Sequence, residues 1–191
     1  YSNDVSMAFN LGGTLADLDW LDGGQVPHVS FHCENDPFAD IDEGVVIVPV
    51  TGDIVIPDVI GSRVANHYNT LWGNNNAFNQ AGLNDTLTHM ANAYNAGWDH
   101  PLNDSTLVYD GLYVFNTPAP DTVPNAFGEM PYHESAPWDW WDLTTYDAMF
   151  AALNGAPAGY GAANSLLGSP NSGSDSIPML YIDTIHGYLN P

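Results

Sequence analysis

Asp36 is the residue of this chain whose neighbours best fit it for chemistry. It follows the apolar run Val26-Pro27-His28-Val29-Ser30-Phe31-His32-Cys33 and opens an acidic loop, so the pattern puts a carboxylate just past the end of a buried strand. A carboxylate at a strand end can orient a histidine and stabilise its imidazolium. The same residue, set before Pro37, is also a common turn former that bonds its own backbone. Both readings stand at this stage. The chain holds no Gly-x-Ser-x-Gly, the turn that presents a serine nucleophile.

Three other groups invite chemical readings. His32 beside Cys33 suggests a thiol nucleophile, but Glu34 and Asp36 would raise the thiol pKa, and a buried structural cysteine is the better reading. The acidic cluster Asp36, Asp40, Asp42 and Glu43 offers the oxygen ligands that Ca²⁺ favours, without the spacing of an EF-hand loop. Trp138, Trp140 and Trp141 alternate with Asp139 and Asp142 and could stack on sugar rings. Aromatics mostly supply core area, so at least two of the three are expected to pack against a sheet.

Composition limits the function classes. The 191 residues, 45% of them hydrophobic, suffice for one core and are read as a single domain spanning residues 1–191. Acidic residues number 23 (19 Asp and four Glu) against one basic residue, Arg63, for a formal charge of -22. Nucleic acid is excluded as a partner, because binding it needs cations that displace counterions from phosphates. Six tryptophans and 12% aromatic residues argue against disorder. With one cation available, burial and hydrogen bonding must hold the fold. The acidic surface suits salt-rich or divalent-rich surroundings, and an extracellular origin is expected. The longest apolar stretches are strand-sized, so membrane insertion is not expected. Tyr1 in place of an initiating Met implies a processing event or the limit of a larger chain.

The elements that must position these residues alternate in type. Residues 5–11 predict a buried strand stopped at Gly12-Gly13, and 27–33 predict another. Val45–Val50 and Ile54–Ile56 predict a hairpin turned at Gly52. Ser62 is expected to cap a helix reaching Leu71, with Gly73 and Asn74-Asn75-Asn76 as its stop. Further helices are expected over 85–96, 143–153 and 177–189, with a strand over 106–116 kinked at Asp110-Gly111. Alternation of this kind implies a mainly parallel α/β sheet. Only three core strands are visible, and three strands with open edges make a poor free-standing domain.

The runs Met7-Ala8-Phe9-Asn10-Leu11-Gly12-Gly13, Trp20-Leu21 and Val26 to His32, followed by Asp36, resemble the second half of α/β-hydrolases. They are most similar to secreted bacterial carboxylesterase-like members. The segment 136–142 and the ending 181–191 resemble C-terminal parts of the same subgroup. The resemblance implies a partial α/β-hydrolase fold, the C-terminal portion of that domain, with the hairpin as a small insertion. It implies that Asp36 is the triad acid after the seventh strand. The strand at 106–116 then matches the eighth, and the triad histidine falls in the loop after it, at His133. That loop lacks the family's glycine-histidine pairing, and His186 near the C terminus is a weaker rival. The nucleophile serine and most of the oxyanion hole would lie in a first half that these residues do not include. An N-terminal half of the same protein, or a partner chain, is the expected partner, and an oligomer or extracellular assembly is compatible. The implied activity is serine-type carboxylic-ester hydrolysis, absent from this chain alone and requiring no cofactor, with Ca²⁺ as an optional stabiliser. A non-catalytic extracellular structural or adhesive protein on the same scaffold is the competing reading.

Overall fold

A computed structural model of the chain describes residues 4–36, 38–47, 51–116, 136–161 and 175–190. Its centre is a three-stranded parallel sheet, in the order β1 (Ala8–Leu11), β2 (His28–Cys33), β5 (Leu112–Phe115). Phe9 lies opposite Val29 in register, and Phe31 opposite Tyr113. A separate antiparallel hairpin joins β3 (Glu43–Ile47) to β4 (Ile54–Ile60). The helices are α1 (Ser62–Leu71), α2 (Asn76–Ala81), α3 (Thr86–Ala96), α4 (Leu143–Asn154) and α5 (Ser176–Leu189). The architecture is a mixed α/β fold with a parallel sheet flanked by helices.

Strand β2 is the anchor because both its faces are covered, as a central parallel strand requires. On one face Val29, Phe31 and Cys33 join Tyr113 and Phe115, covered by Ala91 of α3 and Ile185 of α5. Tyr188 of α5 meets the Phe31 ring edge-on at 5.6 Å, and Tyr181 meets Phe115 at 5.1 Å, so Tyr181, Ile185 and Tyr188 form the face of this helix that packs on the sheet. Full burial of a side chain such as Val29 or Phe31 contributes about 1.5–3 kcal/mol. The other face carries Ser30 and His32, both fully buried, with Leu112 and Val114 beside them.

Amides supply the polar cement that a chain with one cation cannot draw from salt bridges. Asn75 Oδ1 accepts from the backbone N–H of His28, and its Nδ2 donates toward His28 O, Asn66 Oδ1 and Asp110 O at 3.0–3.1 Å. Asn74 Oδ1 accepts from the N–H groups of Gly24 and Gln25, while its Nδ2 donates to Asp22 O and Asn69 Oδ1. Asn95 Nδ2 donates to Leu112 O at 3.0 Å. Asn74 and Asn75 thus form a buried staple leading into α2, where a helix stop alone was expected.

Several sequence expectations change. The run 5–11 is no buried strand: β1 lies at a sheet edge, with Val5, Phe9 and Leu11 exposed at 62%, 59% and 41%. The strand expected over 106–116 shrinks to Leu112–Phe115, because Gly111 takes a left-handed φ of +99° just before it. A Cβ on Gly111 would lie 2.7 Å from both His28 O and Asn75 Nδ2, so only glycine fits. Trp138 packs against Phe115 at 6.0 Å, whereas Trp140 and Trp141 are exposed at 44% and 38%. One tryptophan therefore joins the core, where two were expected.

Candidate functional site

In an open parallel sheet, ligands bind beyond the carboxyl ends of the strands. Asp36 lies there, three residues past the end of β2. Its Oδ1 accepts from the backbone N–H groups of Phe38, at 2.8 Å, and Ala39, at 3.0 Å. The turn-forming role read from the sequence is therefore present. These two bonds also fix the plane of the carboxylate, so a histidine partner would have to approach Oδ2. Desolvation pushes the Asp36 carboxyl above its ordinary range, against the two N–H groups and the nearby His32 that favour the anion.

His133 lies outside the described residues. His186 is exposed in the last turn of α5. His32 is the imidazole nearest in sequence to Asp36, yet both its ring nitrogens have other partners. Nε2 lies 2.8 Å from Ala39 O and Nδ1 lies 2.7 Å from Ser62 Oγ. A carbonyl only accepts, so Nε2 carries the proton and Nδ1 accepts from the Ser62 hydroxyl. Burial holds His32 below its ordinary imidazole range, although the Ala39 carbonyl, Asp36 and Asp40 favour the cation.

The Ser62–His32 pair is a contact that sequence reasoning missed. Gly61, not Ser62, is the cap of α1, and a Cβ there would lie 2.3 Å from the Ile41 carbonyl. This close approach lets the loop before β3 dock on the helix start, with Gly61 N donating to Asp42 O at 2.6 Å and Arg63 N to Ile41 O at 2.9 Å. Ser62 Oγ also accepts from Asn10 Nδ2 at 3.1 Å and lies 3.1 Å from Gly13 O. Serine and histidine are 2% and 0% exposed. A hydroxyl polarised by an imidazole has the polarity of a nucleophile, but this one is enclosed and fully engaged. Its chemistry is that of a junction joining β1, β2, the loop and α1. No spacing rule links residues 32 and 62. The one hint was the even-numbered polar pair Ser30 and His32 inside an apolar strand.

The four acidic residues serve separate ends. Asp36 holds its own turn, and Asp40 Oδ1 accepts from Asp42 N at 2.9 Å. Asp42 Oδ2 pairs with Arg63 Nη1 at 3.2 Å, and the Glu43 side chain is exposed. Among the described residues, no three His, Cys, Asp or Glu side chains converge as a metal site. Arg63, the chain's one cation, is buried: Nη2 donates to Tyr94 Oη at 3.2 Å, and its guanidinium lies over the Tyr94 and Trp98 rings. Burial and Glu34 together push the Tyr94 phenol far above its ordinary range, so it stays a neutral donor. Cys33 is fully buried in the apolar cluster, in accord with a structural thiol.

No protein-family model matches the chain, and neither the curated proteins nor the solved structures contain a significant match. The site must therefore be judged on its geometry. Among the described residues it presents an oriented carboxylate at the carboxyl end of a parallel sheet, without a histidine nitrogen bonded to it or a serine elbow.

Proposed function

We propose that the chain is the C-terminal portion of an extracellular serine-type carboxylic-ester hydrolase, inactive until an N-terminal half or partner chain supplies the nucleophile. The observation that carries this reading is the position of Asp36: a carboxylate held in plane by two backbone N–H groups, directly after the middle strand of a parallel sheet. In the completed enzyme Asp36 would orient the base, for which His133 is the candidate, and the base would activate the incoming serine. The edge of the sheet supports the same reading. Asn10 and Gly12 use their backbone toward β2, so Phe9 and Leu11 turn theirs outward beside exposed apolar side chains. An added parallel strand would satisfy those groups and cover that face.

The test joins the chain to its upstream sequence and measures turnover of an activated aryl ester. Turnover is expected, and Asp36→Asn should lower kcat by about 10⁴-fold, as loss of a triad acid does. A completed protein that ignores activated esters, or an Asp36→Asn variant with full activity, would refute the enzyme reading. One observation favours a second reading, that of a non-catalytic structural or adhesive protein: the Asp36 carboxylate already has a complete local use as the staple of its own turn. Calcium at the 36–43 loop belongs with that reading. A melting temperature that falls on adding chelator would support it.

A further inference from the structure

The end of the sheet opposite Asp36 holds a small cavity of about 120 Å³. Its apolar walls include Met7 before β1, Val29 at the start of β2, Phe78 of α2 and Leu189 of α5. Three polar side chains line it, and Thr88 Oγ1 among them already donates to Asp85 Oδ2 at 2.5 Å. Tyr188 Oη accepts from Gly111 N at 3.3 Å, and Asp110, only 7% exposed, accepts at Oδ1 from Asn92 Nδ2 at 2.8 Å. Burial pushes the Asp110 carboxyl above its ordinary range, and Asn92 alone opposes that shift.

A buried carboxylate is normally paired with a cation or a metal. Among the described residues no cationic side chain pairs with Asp110, and Arg63 is bound to Asp42. A bare metal ion is a poor occupant, because hard cations need about six oxygen ligands and these walls are largely apolar. What the cavity lacks is a cation that brings its own apolar body. Its volume sets the size: an engineered apolar cavity of about 150 Å³ accepts benzene, so this one suits roughly five or six carbon atoms. The formal charge of -22 draws organic cations toward the whole surface and raises their local concentration.

We propose that this cavity binds a small primary alkylammonium, with its nitrogen on the Asp110 carboxylate and its chain between Met7, Val29, Phe78 and Leu189. The Tyr188 hydroxyl oxygen has a second lone pair and offers the ammonium another acceptor. The site lies at the amino ends of the strands, so it is separate from the ester chemistry proposed at the carboxyl ends and does not depend on it.

The experiment titrates the full chain with n-pentylammonium, following the melting temperature and the backbone amide shifts of Val29 and Gly111. 1-Pentanol and pentanoate serve as equal-sized neutral and anionic probes. Saturable binding of n-pentylammonium is expected, about tenfold or more tighter than 1-pentanol, since a charge-assisted bond replaces a neutral one. Pentanoate should not bind. Asp110→Asn keeps the side-chain shape and should abolish the preference for the ammonium. If that variant fails to fold, Met7→Trp, at the open end of β1, fills the cavity mouth and should block binding. Equal affinity for the ammonium and the alcohol, no saturable response, or full binding by either folded variant would overturn the proposal.

Discussion

Asn75→Ala should cost the fold about 3 kcal/mol or more, a large share of a typical domain's 5–15 kcal/mol. Asn75 is 1% exposed, and its amide reaches β2, α1 and the residue before Gly111 together. Removing it strips partners from the N–H and C=O of His28, the carbonyl of Asp110 and the Asn66 Oδ1. Each orphaned buried group costs about 1–3 kcal/mol, and water entering the vacated space recovers part of that. For a chain of this size 3 kcal/mol corresponds to a fall of about 6–12 °C in Tm. Asn75→Asp should be worse than Asn75→Ala, because a carboxylate would face three acceptors where the amide donates. Asn76→Ala is the control: its side chain is exposed, and a surface change of this kind stays within about 0.5 kcal/mol. Thermal and urea melts followed by tryptophan fluorescence give the comparison. If Asn75→Ala melts within about 2 °C of Asn76→Ala, the amide staple does not hold the sheet and the reasoning fails.

Three further outcomes follow from the same contacts. Gly111→Ala should destabilise by about 3 kcal/mol or more, since its Cβ would meet the His28 carbonyl at 2.7 Å with φ at +99°; a urea midpoint equal to the parent's would contradict this. His32, His28 and His67 are all held below the ordinary imidazole range by burial, so the unfolded chain takes up their protons first. Stability is then full above about pH 6.5 and falls as the pH drops toward the folded values, by up to about 1.4 kcal/mol per pH unit for each histidine. His32→Asn should flatten the melting-temperature profile between about pH 7.5 and 5.5, and an unchanged slope would remove His32 from the account. Ser62, enclosed beside His32, should resist an alkyl fluorophosphonate; covalent labelling at Ser62 seen by mass spectrometry would instead make it a working nucleophile.

What the sequence made legible was the part governed by local periodicity. The strand ending at Cys33, the hairpin about Gly52, and helices near 62–71, 85–96 and 176–189 all follow from apolar spacing and glycine stops. Elements set by tertiary contact were less legible. The extent of β5 depends on a left-handed Gly111 pressed against His28, and α2 grows from asparagines whose side chains are anchored on the 22–25 loop, on α1 and on the start of β2. Asp36 was found at its strand end, and its turn-capping bonds were foreseen as one of two alternatives. The Ser62–His32 contact could not be foreseen, because it spans residues that only the docking of the 39–42 loop on Gly61 brings together.

The two exposed features of the sheet point to one requirement. β2 is covered on both faces and paired along both edges, whereas β1 turns its outer backbone and the side chains of Val5, Phe9 and Leu11 to solvent. Natural edges are usually blunted by charge, proline or a covering element, and Ala8–Leu11 carries neither a charged residue nor a proline. Such an edge is a template for pairing with another strand. The same strand carries Asn10, which donates to Gly13 O and Ser62 Oγ and so ties the edge to the junction beneath the Asp36 loop. An added strand on β1 would therefore tighten the carboxylate's support as well as cover the apolar edge. On the proposed reading, completing the sheet and making the site competent would be coupled through Asn10.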